Sequence, residues 1–357
     1  METSHENKNE TAQVIEPSLP VESTSNGESV AAYAESSDIV SKPEYRRARE
    51  EVNNLCETFL RTIWIISQAS SRFHAQHIQS VLFTCEHQIL QSALAIQLLA
   101  REGIFMPVVK RELRYMLEAT TRYLYVDQKC AIDEKYTTLE QRLTFLSDLD
   151  RKSIEGTDKN FPIDQVNLTT VFFDAAQLSK QIIDRCKDVY RYTCHFIHAN
   201  VKLIRERLLL DIQERYIGYE GADEMDNLYL HLFVVFELVI VLFLASPSLG
   251  PSSIGDLVMA FADMPADEFV FHKSSFWSSI DAQYDYKYER QDNLPAIRKH
   301  RLEKQKTEPV LNTLFRFPTA DDLKKMRRIQ KSQAEAAARR TKKQAAAKPK
   351  LRGMDSE

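Results

Sequence analysis

Glycine and proline are scarce in this chain of 357 residues, at 8 and 12 respectively. Between Glu44 and Ser246 the only prolines are Pro107 and Pro162, and the only glycines Gly103, Gly156, Gly218 and Gly221. So few breaks over that span argue against a turn-rich sandwich or barrel and favour long helices. The same shortage leaves no GxGxxG, Walker A or GxSxG pattern, which argues against classical nucleotide-binding enzymes. The five cysteines are odd in number and contain no CxxC pair. The opening METSHENKNETAQ is polar throughout, with no charged n-region and apolar h-region of a secretory signal. Together these predict a reducing, cytoplasmic setting with buried thiols and no disulfide framework.

What is present is unevenly spread. Met1 to Lys42 holds eight acidic residues against Lys8 and Lys42, a net of −6. Lys324 to Arg352 holds twelve basic residues against Glu335 alone, a net of +11, and no aromatic side chain. The formal net charge of −4 therefore hides an acidic body with a strongly basic end. Residues 1–43 are rich in Ser, Glu, Thr and Asn without apolar period, and the composition predicts a disordered acidic tail ending at Pro43.

Residues 44–246 carry apolar side chains at helical spacing: Leu55, Phe59, Ile63 and Ile66 in one run, Leu82, Ile89, Ala93 and Ile96 in the next. Pro107 fits the first turn of a third helix, PVVKRELRYMLEATTRYLYV, since its missing N–H is one the helix leaves unpaired anyway. A fourth helix is expected from about Glu134 to Leu149, EGTDKNFP as a loop, a very long helix from Thr170 to Tyr216, and an apolar helix over 225–245. That last one, LYLHLFVVFELVIVLFLA from Leu228 to Ala245, reaches the lower length limit of a membrane span. Glu237 near its middle and His231 near its start favour a buried core helix, because ionised groups at bilayer depth are costly. SPSLGPSSIG is expected to end the bundle. The fold class is thus all-α, an antiparallel bundle of five to six long helices. Residues 247–320 are expected as irregular segments packed on it, and 321–357 as a basic, partly helical tail. That tail begins at a capping Thr319, with Asp321 and Asp322 in the first turn.

One stretch raises a question of chemistry. In DVYRYTCHFIHAN, Asp188 to Asn200, Arg191 and His198 lie seven apart and share a helix face about 10 Å apart along the axis, with His195 between. A guanidinium can hold a phosphate while an imidazole moves a proton near neutral pH. The same face carries Asp184, Lys187, Lys202 and Arg205, with Ile182, Val189, Phe196, Leu203 and Ile204 opposite. A polar stripe opposite an apolar one is also what any amphipathic surface helix presents.

Arg191, YTCHFI and His198 resemble the Rx4-6H motif of the HEPN superfamily of helical bundles. Arg114 and Glu118, in RYMLE, resemble the upstream R-x3-E helix of HEPN-like families, and Thr193 with His198 matches their Ser/Thr-x4-His pattern. The resemblance spans about residues 50–245. It implies metal-independent RNA cleavage of the kind found in toxin, anti-phage and CRISPR-associated systems. In it His198 and His195 would move protons, Arg191 would steady the phosphate, Arg114 and Glu118 would support them, and a homodimer would set two motifs face to face. Tyr192 departs from the pattern, which usually has a polar residue after the arginine. Arg114 and Glu118 are equally placed for an ordinary i, i+4 ion pair.

His74 and His77, with Cys85, Glu86 and His87 nearby, have no HExxH spacing or carboxylate pair to complete a metal site, and Cys186, Cys194 and His198 are a second weak set. No cofactor or metal is expected. Lys324, Lys325, Arg327, Arg328, Lys331, Arg339, Arg340, Lys342 and Lys343 suit sequence-independent contact with phosphate backbones, most simply RNA. An acidic protein surface or anionic lipid is the other target such a run fits. Two functions follow: an RNA-binding or RNA-cleaving bundle of the defence or stress-effector kind, or a non-catalytic helical scaffold tethered to nucleic acid by its tail.

Overall fold

The computed structural model describes residues 43–73, 78–102, 106–133, 135–154, 161–169, 171, 176–194, 222–264, 268–275, 277–280, 310–311, 316 and 318–347. Those residues form an all-α protein. Helix α1 spans Pro43–Phe73, a single turn α2 spans Val81–Thr84, α3 spans Glu86–Glu102, and α4 spans Met106–Ile132. Then come α5 over Leu139–Ile154, α6 over Ala176–Cys194 and α7 over Ala222–Leu244. Two further helices, α8 over Pro251–Asp263 and α9 over Ala320–Ala347, follow.

Helix α7 is the centre. It packs against α1, α4, α6 and α9, which explains why its sequence is apolar on every side rather than along one stripe. Its most apolar stretch, Met225–Leu244, has mean hydropathy 2.3 and is 89% buried inside the protein. Phe236 stacks on Phe59 of α1 at 4.1 Å between ring centroids, and Phe243 meets Phe83 edge-on at 5.7 Å. Glu237, only 3% exposed, accepts a hydrogen bond from the Ser274 hydroxyl. Arg185 of α6, also buried, lies near enough to interact with it electrostatically. Protein groups thus meet the Glu237 carboxylate where it stands.

The start of α5 differs from the expected Glu134. Thr138 and Gln141 form a reciprocal capping box: the Gln141 N–H donates to the Thr138 hydroxyl at 3.4 Å, and the Thr138 N–H donates to the Gln141 side-chain oxygen at 3.0 Å. Asp133 turns the preceding loop by accepting from the Lys135 N–H at 3.0 Å. A second anchor is Asp127 of α4, fully buried, which accepts from the Ser80 hydroxyl at 2.6 Å and from the Val81 and Leu82 N–H groups at 2.8 and 3.0 Å. Arg142 of α5 reaches the same carboxylate at 3.4 Å, so one residue ties together α2, α4 and α5.

The expectation of irregular structure after Ser246 needs correcting over 251–263. SPSLGPSSIG stops α7 and also starts α8, with Pro251 in the first turn after Gly250. Ile254, Leu257, Val258 and Phe261 of α8 are buried, and α8 packs on α1. Phe261 stacks on Phe269 at 4.9 Å, and Trp277 meets both rings edge-on at 5.9 and 4.9 Å. Among the described residues a parallel bridge pairs Ser274 with Leu311. The long helix expected over 170–216 is described only as α6, and its stretch beyond Cys194 lies outside the described residues.

Candidate nucleic-acid interface

Arg191 sits in the last turn of α6 with its side chain 72% exposed, paired with Asp188 one turn back at 3.2 Å. His195 and His198 lie outside the described residues, as do His74 and His77. The supporting pair does meet α6, at a different residue. Arg114 bonds Glu118 at 3.3 Å within α4 and donates to the Tyr190 hydroxyl at 2.9 Å, its guanidinium 4.6 Å from the Tyr190 ring centroid. Tyr190 in turn stacks flat on Phe161 at 4.3 Å. Burial, with Glu118 adding to it, pushes the Tyr190 hydroxyl up from its ordinary value. The Thr193 hydroxyl is buried and bonds back to the carbonyls of Val189 and Tyr190 at 2.9 and 3.0 Å, so it serves its own helix.

Tyr192, the departure from the family pattern, faces inward. Its ring lies 5.2 Å from that of His231 on α7, and the Lys110 ammonium stands 5.4 Å from its centroid. Burial, Lys110 and Arg185 together push His231 down to about 4, so its imidazole is neutral at pH 7.

Among the described residues, no three His, Cys, Asp or Glu side chains group as metal ligands would. Cys85 and Glu86 are half-buried and His87 is exposed, its Nδ1 3.2 Å from the Thr84 carbonyl oxygen. Cys186 is in the core, where burial pushes its thiol well above the ordinary range, and Cys194 is half-buried. Burial likewise pushes Cys56 up to about 12 and Cys130 to about 11.

The basic end is built as a helix with a defined root. Thr319 caps α9: its hydroxyl accepts from the Asp322 N–H at 3.3 Å, while its own N–H donates to an Asp322 carboxylate oxygen at 2.8 Å. Arg316 grips both oxygens of Asp322 at 2.6 and 2.7 Å, and that bond holds the Asp322 carboxyl well below the usual carboxylate range. Leu323 and Met326 are buried, and α9 packs on α7. Arg327 donates to both oxygens of Asp226 on α7, at 3.0 and 2.8 Å, and to Glu51 on α1.

Arg327 was expected on a phosphate. Its guanidinium instead joins α1, α7 and α9, so it is removed from the set of phosphate contacts. Lys324 is half-buried, whereas Lys325, Arg328, Lys331, Arg339 and Arg340 are exposed. Among the described residues no carboxylate stands within ion-pair distance of those five. At about 100° per residue Lys325, Arg328, Lys331, Arg339 and Arg340 fall on one half of the helix, and Leu323 and Met326 on the other. Lys342 and Lys343 belong to the same helix. Sequence reasoning missed Arg316, Asp226 and Glu51. The Thr-x-x-Asp box was readable, but nothing local links residue 327 to residues 51 and 226.

No protein-family model, curated protein or solved structure matches this chain.

Proposed function

We propose that this protein is an RNA-binding helical bundle in which α9 makes sequence-independent contacts with phosphates. The observation that carries this reading is the division of α9 into a docked root and an exposed face of five cations with no carboxylate partner among the described residues. Free cations on a helix fixed to a rigid body can release counterions from a phosphate backbone without first giving up protein ion pairs. The lack of any aromatic residue from Lys324 to Arg352 removes base stacking and leaves the backbone as the feature read. Gel-shift titration of a 30-nucleotide RNA tests this. The full chain binds at 0.1 M salt, and a variant with Lys325, Arg328, Lys331, Arg339 and Arg340 changed to Gln binds at least tenfold more weakly. Equal binding by the two removes the reading.

Cleavage at the Arg191 motif is the second reading, favoured by the exposure of Arg191 at the end of α6. Its test is loss of intact RNA on incubation with the wild-type chain but not with His198→Ala. No loss with either protein leaves the non-catalytic scaffold.

A further inference from the structure

The exposed face of α9 has a candidate occupant within its own chain. Residues 1–42 carry seven glutamates and Asp38 against Lys8 and Lys42, the most acidic terminal stretch of the protein and the charge complement of α9. The structure shows where that stretch is attached. It joins α1 at Pro43, and Glu51 of α1 pairs directly with Arg327 at the root of α9. Eight residues of helix separate Pro43 from Glu51, about 12 Å along the axis. The tether therefore starts beside the base of the basic helix. A chain of 42 residues can extend to roughly 140 Å, several times the about 42 Å length of a 28-residue helix. Reach does not limit the contact, and attachment beside the root of α9 makes the encounter intramolecular.

We infer that residues 1–42 occupy the exposed basic face of α9 and compete there with RNA phosphates, so that the protein carries its own electrostatic inhibitor. This rests on the phosphate-binding reading of α9. No bond is made or broken: carboxylates and phosphates exchange on the same cations. The eight acidic residues match the face in charge and not in shape, because α9 offers cations spaced along one side of a helix. RNA, with its denser charge, displaces the segment at a cost in apparent affinity, and low salt sharpens the competition.

Two measurements on the full chain test it. In the first, the seven glutamates of residues 1–42 are changed to Gln and Asp38→Asn, and binding of the 30-nucleotide RNA is titrated. The neutralised chain binds on the order of tenfold more tightly at 0.1 M salt, and the gap closes near 0.5 M, where the screening length falls to roughly 4 Å. In the second, a water-soluble carbodiimide joins carboxylates to adjacent amines, and mass spectrometry locates the links. Wild type gives links from residues 1–42 to Lys325 or Lys331 that disappear at 0.5 M salt. If both chains bind RNA equally, the inhibitor is overturned and the phosphate reading survives. Tighter binding by the neutralised chain without links in wild type also overturns it, because a general change in net charge then explains the gain. If neither chain binds RNA, the phosphate reading itself falls and the inhibitor with it.

Discussion

Arg327 and Arg328 are neighbours in one basic run, yet one is bound to two carboxylates from distant helices and the other stands in solvent. Along α9 the same contrast separates the root, with Thr319, Asp322, Leu323, Met326 and Arg327, from the outer turns with Lys331, Arg339 and Arg340. A run of like charges is therefore not one functional unit. Each cation's role is set by which side of the helix it occupies and by what the body offers opposite it.

The largest effect that would break this comparison is at Arg327. Replacing it by Met keeps the stem and removes the charge, leaving Asp226 without its cation and Glu51 with only the exposed Arg47 at 4.0 Å. A loss of about 3 kcal/mol in urea unfolding is expected, as for other part-buried pairs deprived of one partner. A loss below about 0.5 kcal/mol would place Arg327 with the solvent-exposed cations instead.

A comparable effect comes from pH, at His231. Its folded value of about 4 lies below the ordinary one, so the unfolded chain takes up a proton first as pH falls. The stability this group contributes is complete above about pH 6.5 and is lost by about pH 4, a change of roughly 3 kcal/mol. In His231→Gln the difference in unfolding free energy between pH 7 and pH 4 should shrink by that amount. An unchanged difference would mean that His231 is protonated in the folded protein.

The cap comes next. Thr319→Ala removes one side of the box and should cost about 1 kcal/mol in thermal unfolding of the α9 root. Asp322 adds a pH signature of opposite origin. Its folded value is depressed, so its contribution is present above the ordinary carboxylate range and fades as pH falls below it. Smallest of all should be the effect of Arg328→Gln and Arg339→Gln on stability, within about 0.5 kcal/mol.

The sequence made the helical class legible because periodicity and the dearth of Gly and Pro act locally. It also made α7 legible as a core helix, through Glu237 and His231 inside an apolar run. Two boundary errors have local causes that could have been read: the Thr138–Gln141 box at α5, and Pro251 as a start signal as well as a stop. The pairing of Arg327 with Asp226 and Glu51 was not legible, since the partners lie 101 and 276 residues away. Arg114 and Glu118 form the i, i+4 ion pair their spacing offers, but that Arg114 also meets Tyr190 depends on a rotation of α6 that places Tyr190 inward and Arg191 outward. Periodicity gave the faces of that helix without saying which neighbour each one meets.

The most direct measurement of the central claim is the salt dependence of RNA binding, plotted as log affinity against log salt for wild type and for the variant with five Gln on α9. If the outer face makes the phosphate contacts, the slope should flatten by about 3 to 4, close to 0.7 per cation removed from a single strand. An unchanged slope would contradict the account.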